Sequence, residues 1–171
     1  MAHHRTTLAT LRSALTLLVL LGGIAIPQEP RAQSAAPLEL ASYPRTDLTI
    51  TQSKPARVHS FRVWVADTPQ RAEQGLMFVN DLPESEGMVF PLEPPRVENM
   101  WMKNTYIELD MVFIAADGRV VKIIERAHPL SLETITSGTP VAAVLELKGG
   151  TAAKLGLRVG DAVRWKKPAA A

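Results

Sequence analysis

Apolar and polar positions alternate along SFRVWVAD (Ser60–Asp67), with Phe61, Val63 and Val65 on one side, and this two-residue period predicts a strand. LTITQ (Leu48–Gln52) alternates in the same way. The period breaks at Thr68-Pro69, where a capping residue followed by proline opens a helix into QRAEQGLMF, with Thr68 or Asp67 as cap. Gly75 falls early enough to keep that helix short, and NDLPESEG (Asn80–Gly87) has turn chemistry. MVFPLEPP (Met88–Pro95) reads as a brief strand stopped by its prolines, and VENMWM and TYIELDMVFIA as two further strands. Ala116-Asp117-Gly118 makes a tight turn into RVVKIIERA, which predicts a β-hairpin. VAAVLELK (Val141–Lys148) is a strand, Gly149-Gly150 a turn, TAAKLG one helical turn and AVRW a last strand. This pattern predicts a mainly β chain with minor α: a compact antiparallel β-barrel or sandwich carrying one or two short helices.

The N-terminal end changes how much of the chain enters that fold. Arg5 and Arg12 precede the apolar run Leu15–Ile26, and small residues gather at Ala32–Ala36, the layout of a cleaved secretory signal peptide. The run is shorter than the ~20 residues of a spanning helix. The expected organisation is a signal peptide at 1–34, a linker or surface arm at 35–46, a single β-rich domain at 47–167 and a disordered tail at 168–171. The expected location is periplasmic or secreted, with no membrane span after cleavage. Removing Arg5, Arg12 and Arg31 from 19 basic residues, and Glu29 from 17 acidic ones, leaves sixteen of each. A neutral mature chain argues against nucleic acid as a partner. With no cysteine, the domain has no disulfide, thiol nucleophile or thiolate metal site.

Candidate chemistry concentrates in NMWMKNTYIELDMVFI (Asn99–Ile114), where Lys103, Asn104 and Asp110 interrupt an apolar stretch. In a strand over 105–114, Thr105, Ile107, Leu109, Met111 and Phe113 share the core face, and Asp110 sits where the other face turns apolar. A lysine pointing into the core is improbable, so the register predicts a bend near Lys103-Asn104. In VAAVLELK the apolar face is Val141, Ala143, Leu145 and Leu147, leaving Glu146 opposite, beside Val144. Glu146 is informative only if that second face is covered. The expected site is one cleft lined by Trp101, Lys103, Asn104, Asp110 and Glu146, with Arg71 from the short helix. Trp101 offers a flat apolar wall, Lys103 a point charge, Asn104 a donor and an acceptor, and Asp110 or Glu146 an acid/base. The same residues also suit an internal ion network. His59 and His128 lack helical partners, and no metal site or cofactor is expected.

GLM (Gly75–Met77), GMVF (Gly87–Phe90), MWMKNTYIELDMVFI (Met100–Ile114), VLEL (Val144–Leu147) and Gly160-Asp161 with Val163 occur in that order. This succession resembles the exported family called domain of unknown function 192, from Ser60 to Trp165. The resemblance implies a compact β-rich domain and supplies no activity. Members often carry a basic residue soon after GLM, and here that place holds Val79. The expectation is an exported domain binding a small or extended ligand, anionic or glycan-like, in the cell envelope. The rivals are a hydrolase or isomerase using Asp110 or Glu146 with Lys103, and an envelope assembly factor binding protein or peptide through Pro91, Pro94 and Pro95.

Overall fold

The computed structural model describes residues 36–166; the expected signal peptide and C-terminal tail lie outside them. Among the described residues a 3-10 turn (Leu40–Ser42) precedes nine strands and two short α-helices, which follow one another as β1 (Arg45–Ser53), β2 (Ala56–Val65), α1 (Pro69–Gln74), β3 (Glu86–Arg96), β4 (Asn99–Met100), β5 (Leu109–Ile114), β6 (Val120–Ala127), β7 (Ile135–Thr136), β8 (Val141–Lys148), α2 (Thr151–Leu155) and β9 (Ala162–Trp165). Seven of the strands form one sheet in the order β6-β5-β8-β3-β2-β1-β9, and β4 pairs with β7 in a small ribbon. Among the described residues no helix is long and apolar enough to cross a membrane.

The fold is mainly β, as the alternation predicts, but the sheet is mixed. β2 runs parallel to β3, with α1 in the connection between them. The edge strands meet at a single bridge, Arg119 to Ala162, where Val120 N donates to Asp161 O at 2.9 Å and Val163 N donates to Gly118 O at 2.7 Å. The sheet therefore curls without closing as a barrel.

Two cores result, one on each face. Leu48, Ile50, Val63, Val65, Val89, Val112, Leu145 and Leu147 pack together inside the curl, with Ala152 and Leu157 against them. On the opposite face Met88, Phe90, Met111, Phe113 and Val144 pack under Leu76, Leu82 and Met102. Central strands covered on both sides read as continuous apolar runs. Every residue of β5 is buried, Asp110 included. Each large side chain fully buried this way contributes about 1.5–3 kcal/mol, which explains a stable domain without disulfides.

Three local expectations need correcting. The strand expected from Thr105 starts only at Leu109, because Met102–Thr105 is a turn, closed by Thr105 N donating to Met102 O at 3.1 Å. VENMWM shortens to the two residues of β4. β3 is not stopped by its prolines but continues to Arg96; its register against β8 shifts between Pro91 and Arg96, where proline cannot supply a ladder N–H.

Candidate functional site

The short helix α1 is built as its sequence dictates. Thr68 Oγ1 accepts from Arg71 N at 3.3 Å, Pro69 takes the first position, and Gly75 ends it at φ +52°. A Cβ at Gly75 would lie 3.1 Å from the Phe90 ring. The chain then descends through Leu76 and Met77 onto the outer face of β3 and β8. The loop from β4 toward β5 meets it there. Asn104, in the left-handed conformation at φ +55°, accepts Phe78 N at its carbonyl oxygen, 2.9 Å away, and its side-chain amide faces Met77 Sδ at 3.9 Å. This is the bend the register predicted, and asparagine is among the residues that tolerate it best.

Between these segments lies a cavity of about 310 Å³. Gly75, Leu76, Met77, Phe90, Leu92 and Met100 give it an apolar lining; Trp101 stands on its wall, and Glu73, Arg96, Glu98 and Glu146 supply charge. Trp101 is 46 % exposed, and the Lys103 ammonium lies 4.9 Å from its ring centre. Such a contact contributes about 0.5–1 kcal/mol at an exposed site.

Glu146 is the buried carboxyl of the lining. It is 4 % exposed, and its direct cross-strand neighbours are Met88 on β3 and Met111 on β5. Gly87, beside it, leaves no room for a side chain: a Cβ there would stand 2.4 Å from the Glu146 carbonyl oxygen. The carboxyl oxygen Oε2 is buried without a hydrogen-bond partner. Burial alone pushes the Glu146 carboxyl up from 4.5 to about 8, so it holds its proton at neutral pH. Glu98 shows a related feature. Arg96 Nε stands 2.9 Å from Glu98 Oε2, close enough to pair charge, yet out of line for a hydrogen bond, and that oxygen too is buried and unsatisfied. Buried polar atoms without partners are rare. Glu146 Oε2 is such an atom, and Glu98 Oε2, ion-paired but without a hydrogen bond, borders the same cavity.

The six expected site residues do not share one cleft. Trp101 and Glu146 line the cavity, and Lys103 is not on the lining but lies against the Trp101 ring. Asn104 shapes the adjoining turn. Asp110 lies on the other face of the sheet, because β5 pairs Asp110 with Leu147 and Met111 with Glu146. Its carboxylate accepts Arg126 N at 2.8 Å, Gly150 N at 2.9 Å and Ala152 N at 2.7 Å. It ties β6 and the start of α2 to β5, and both oxygens are occupied. Arg71 is held by Asp67 Oδ1 at 2.6 Å and Ser42 O at 2.8 Å, against the Tyr43 ring. It anchors the segment before β1. The residues that sequence reasoning passed over are Arg96 and Glu98; their only signal is an opposite-charge pair just after Pro94-Pro95.

Four of the five segments of the motif succession put a residue on this lining: GLM all three of its residues, GMVF Phe90, the MWMKNT block Met100, Trp101 and Thr105, and VLEL Glu146; Gly160-Asp161 with Val163 does not. The model of domain of unknown function 192, described as "Uncharacterized ACR", matches residues 49–165. The chain belongs to this family. No curated protein matches it. Among solved structures it is similar to a "putative transcription regulator" from Sinorhizobium meliloti, with 41 % identity over 72 % of this chain and 95 % of that one, at a TM-score of 0.71. It is also similar to a protein of unknown function from Novosphingobium aromaticivorans, with 37 % identity over 80 % and 98 % of the two chains, and the same TM-score of 0.71. In this DUF192 chain four of the five motifs thus meet at the cavity although they are separate in sequence.

Proposed function

We propose that this chain is an exported binding protein whose cavity takes a compact, uncharged, hydroxyl-rich group such as a sugar ring. The observation that carries the reading is the buried, unpartnered carboxyl of Glu146 on a lining that mixes apolar and polar side chains. A buried polar group left unsatisfied costs about 1–3 kcal/mol, and a ligand group that pairs with it recovers that cost on binding. Being protonated, Glu146 both donates and accepts.

The charge balance separates the two ligand chemistries open at the sequence level. With Glu146 neutral, the lining holds Glu73 and Glu98 against Arg96, a slight negative excess. That excess disfavours an anion and is indifferent to a glycan. Trp101, half exposed, offers the flat apolar face that the CH groups of a sugar ring need. Export is supported by the N-terminal pattern of charge, apolar run and small residues.

Isothermal titration of the full chain with neutral monosaccharides and with their phosphorylated counterparts tests this reading. Binding of the neutral sugars, weakened in Trp101→Ala and lost in Glu146→Leu, is the expected result. Preference for the phosphorylated forms would overturn it.

One observation favours catalysis as a second reading: a carboxyl with its proton affinity raised to about 8 is a competent proton donor near neutrality. Asp110, engaged on both oxygens, has no such role. Catalysis requires turnover of a bound glycoside that Glu146→Gln abolishes without weakening binding.

A further inference from the structure

Phe78 and Tyr106 do not line the cavity, but each is next in sequence to a residue that does, Met77 and Thr105. Both are large and half in solvent, Phe78 at 39 % and Tyr106 at 49 %. Their rings meet edge to face, with centroids 6.2 Å apart and planes at 71°. An isolated exposed aromatic is ordinary. Two that brace each other, in a protein whose cavity already has Trp101 on its wall, present a paired aromatic surface to solvent.

The backbone is held in costly conformations to present it. Phe78 and Leu130, neither of which has a local reason to be left-handed, lie at φ +66° and +62°. Such residues are uncommon, and their strain persists only where the surroundings over-determine it. Here the surroundings do so: Phe78 N donates to Asn104 O at 2.9 Å, and Leu130 N donates to Thr105 O at 3.0 Å. Both clamps grip the Asn104-Thr105 turn that links the cavity wall to Tyr106.

The geometry points to an oligosaccharide of N-acetylated amino sugars as the ligand, its terminal residue in the cavity and the next ring against Phe78 and Tyr106. This rests on the sugar-binding reading above and extends it in two respects. The first concerns the terminal group. The lining combines the unpartnered Glu146 carboxyl with the apolar Leu76, Phe90, Leu92 and Met100, and a sugar substituent carrying both an acceptor and an apolar group matches that combination better than a bare hydroxyl. An acetamido group fits it: its carbonyl accepts the Glu146 proton, and its methyl takes the apolar contact. The second concerns length. The aromatic pair lies outside the cavity, where only a chain continuing from the terminal ring would reach it.

The test is titration calorimetry of the full chain with N-acetylglucosamine and its di-, tri- and tetrasaccharides, beside glucose and cellobiose. Affinity is expected to rise roughly threefold to tenfold from the mono- to the disaccharide, as one ring–aromatic contact warrants, and the acetylated sugars are expected to exceed the plain ones. Tyr106→Ala should remove the length increment and leave the monosaccharide affinity unchanged, and Tyr106→Phe should keep the increment. Monosaccharide binding without any gain with length, or a gain untouched by Tyr106→Ala, overturns the extended site while sparing the cavity. Equal binding of glucose and N-acetylglucosamine overturns the acetamido assignment. If no sugar of either series binds, the sugar-binding reading falls, and this inference with it.

Discussion

Replacing Glu146 by Gln exchanges a protonated carboxyl for an uncharged amide of the same shape, so the substitution isolates one property, the ability to ionise. In the folded chain the Glu146 carboxyl is pushed up from 4.5 to about 8 by burial. Between those values the native state holds a proton that the unfolded chain has released. Stability is then full below the unfolded value, falls as pH rises, and levels off once pH passes the folded value. The slope is about 1.4 kcal/mol per pH unit, which gives roughly 3 kcal/mol lost by neutral pH and about 5 kcal/mol across the whole window. The Gln variant lacks this slope, and every other titrating group is common to both proteins. Urea unfolding of both at several pH values through the window should show wild type losing stability relative to the variant as pH rises. A difference that does not change with pH would refute the argument, because it would mean that Glu146 is solvated or paired in the folded state.

Asp110→Ala removes one acceptor of three backbone N–H groups and should cost about 3–5 kcal/mol in chemical unfolding, with wild-type ligand binding in whatever fraction folds. Gly87→Ala drives a methyl into the β8 backbone at Glu146; a loss of about 1–3 kcal/mol, together with weakened ligand binding, is expected from denaturation and calorimetry on the same sample. Lys103→Ala should change unfolding stability by less than about 1 kcal/mol, because the ammonium is exposed and its aromatic contact is weak; a collapse of folding would show that Lys103 belongs to the internal network. Trp101→Ala should likewise leave stability nearly intact while reducing sugar affinity, the opposite of what a core tryptophan would do.

What the linear chain determined is what depends on neighbours in sequence. The two-residue period of β2, the capped start of α1 at Thr68-Pro69, its end at Gly75, and the turn into β6 all follow from local stereochemistry. The same period placed Glu146 opposite the Leu145-Leu147 face before any fold was known, and the misfit of a core-facing Lys103 indicated the turn at Asn104. Tertiary structure decided what surrounds each side. Glu146 and Asp110 read alike, as carboxylates inside apolar strands. One is satisfied by N–H groups 16, 40 and 42 residues away; the other lies between Met88 and Met111 on the cavity lining with no partner for Oε2. No periodicity carries that distinction, because the proton affinity of a carboxyl depends on the solvent and donors within a few ångströms of it. In this chain those neighbours come from strands that meet only once the sheet has assembled.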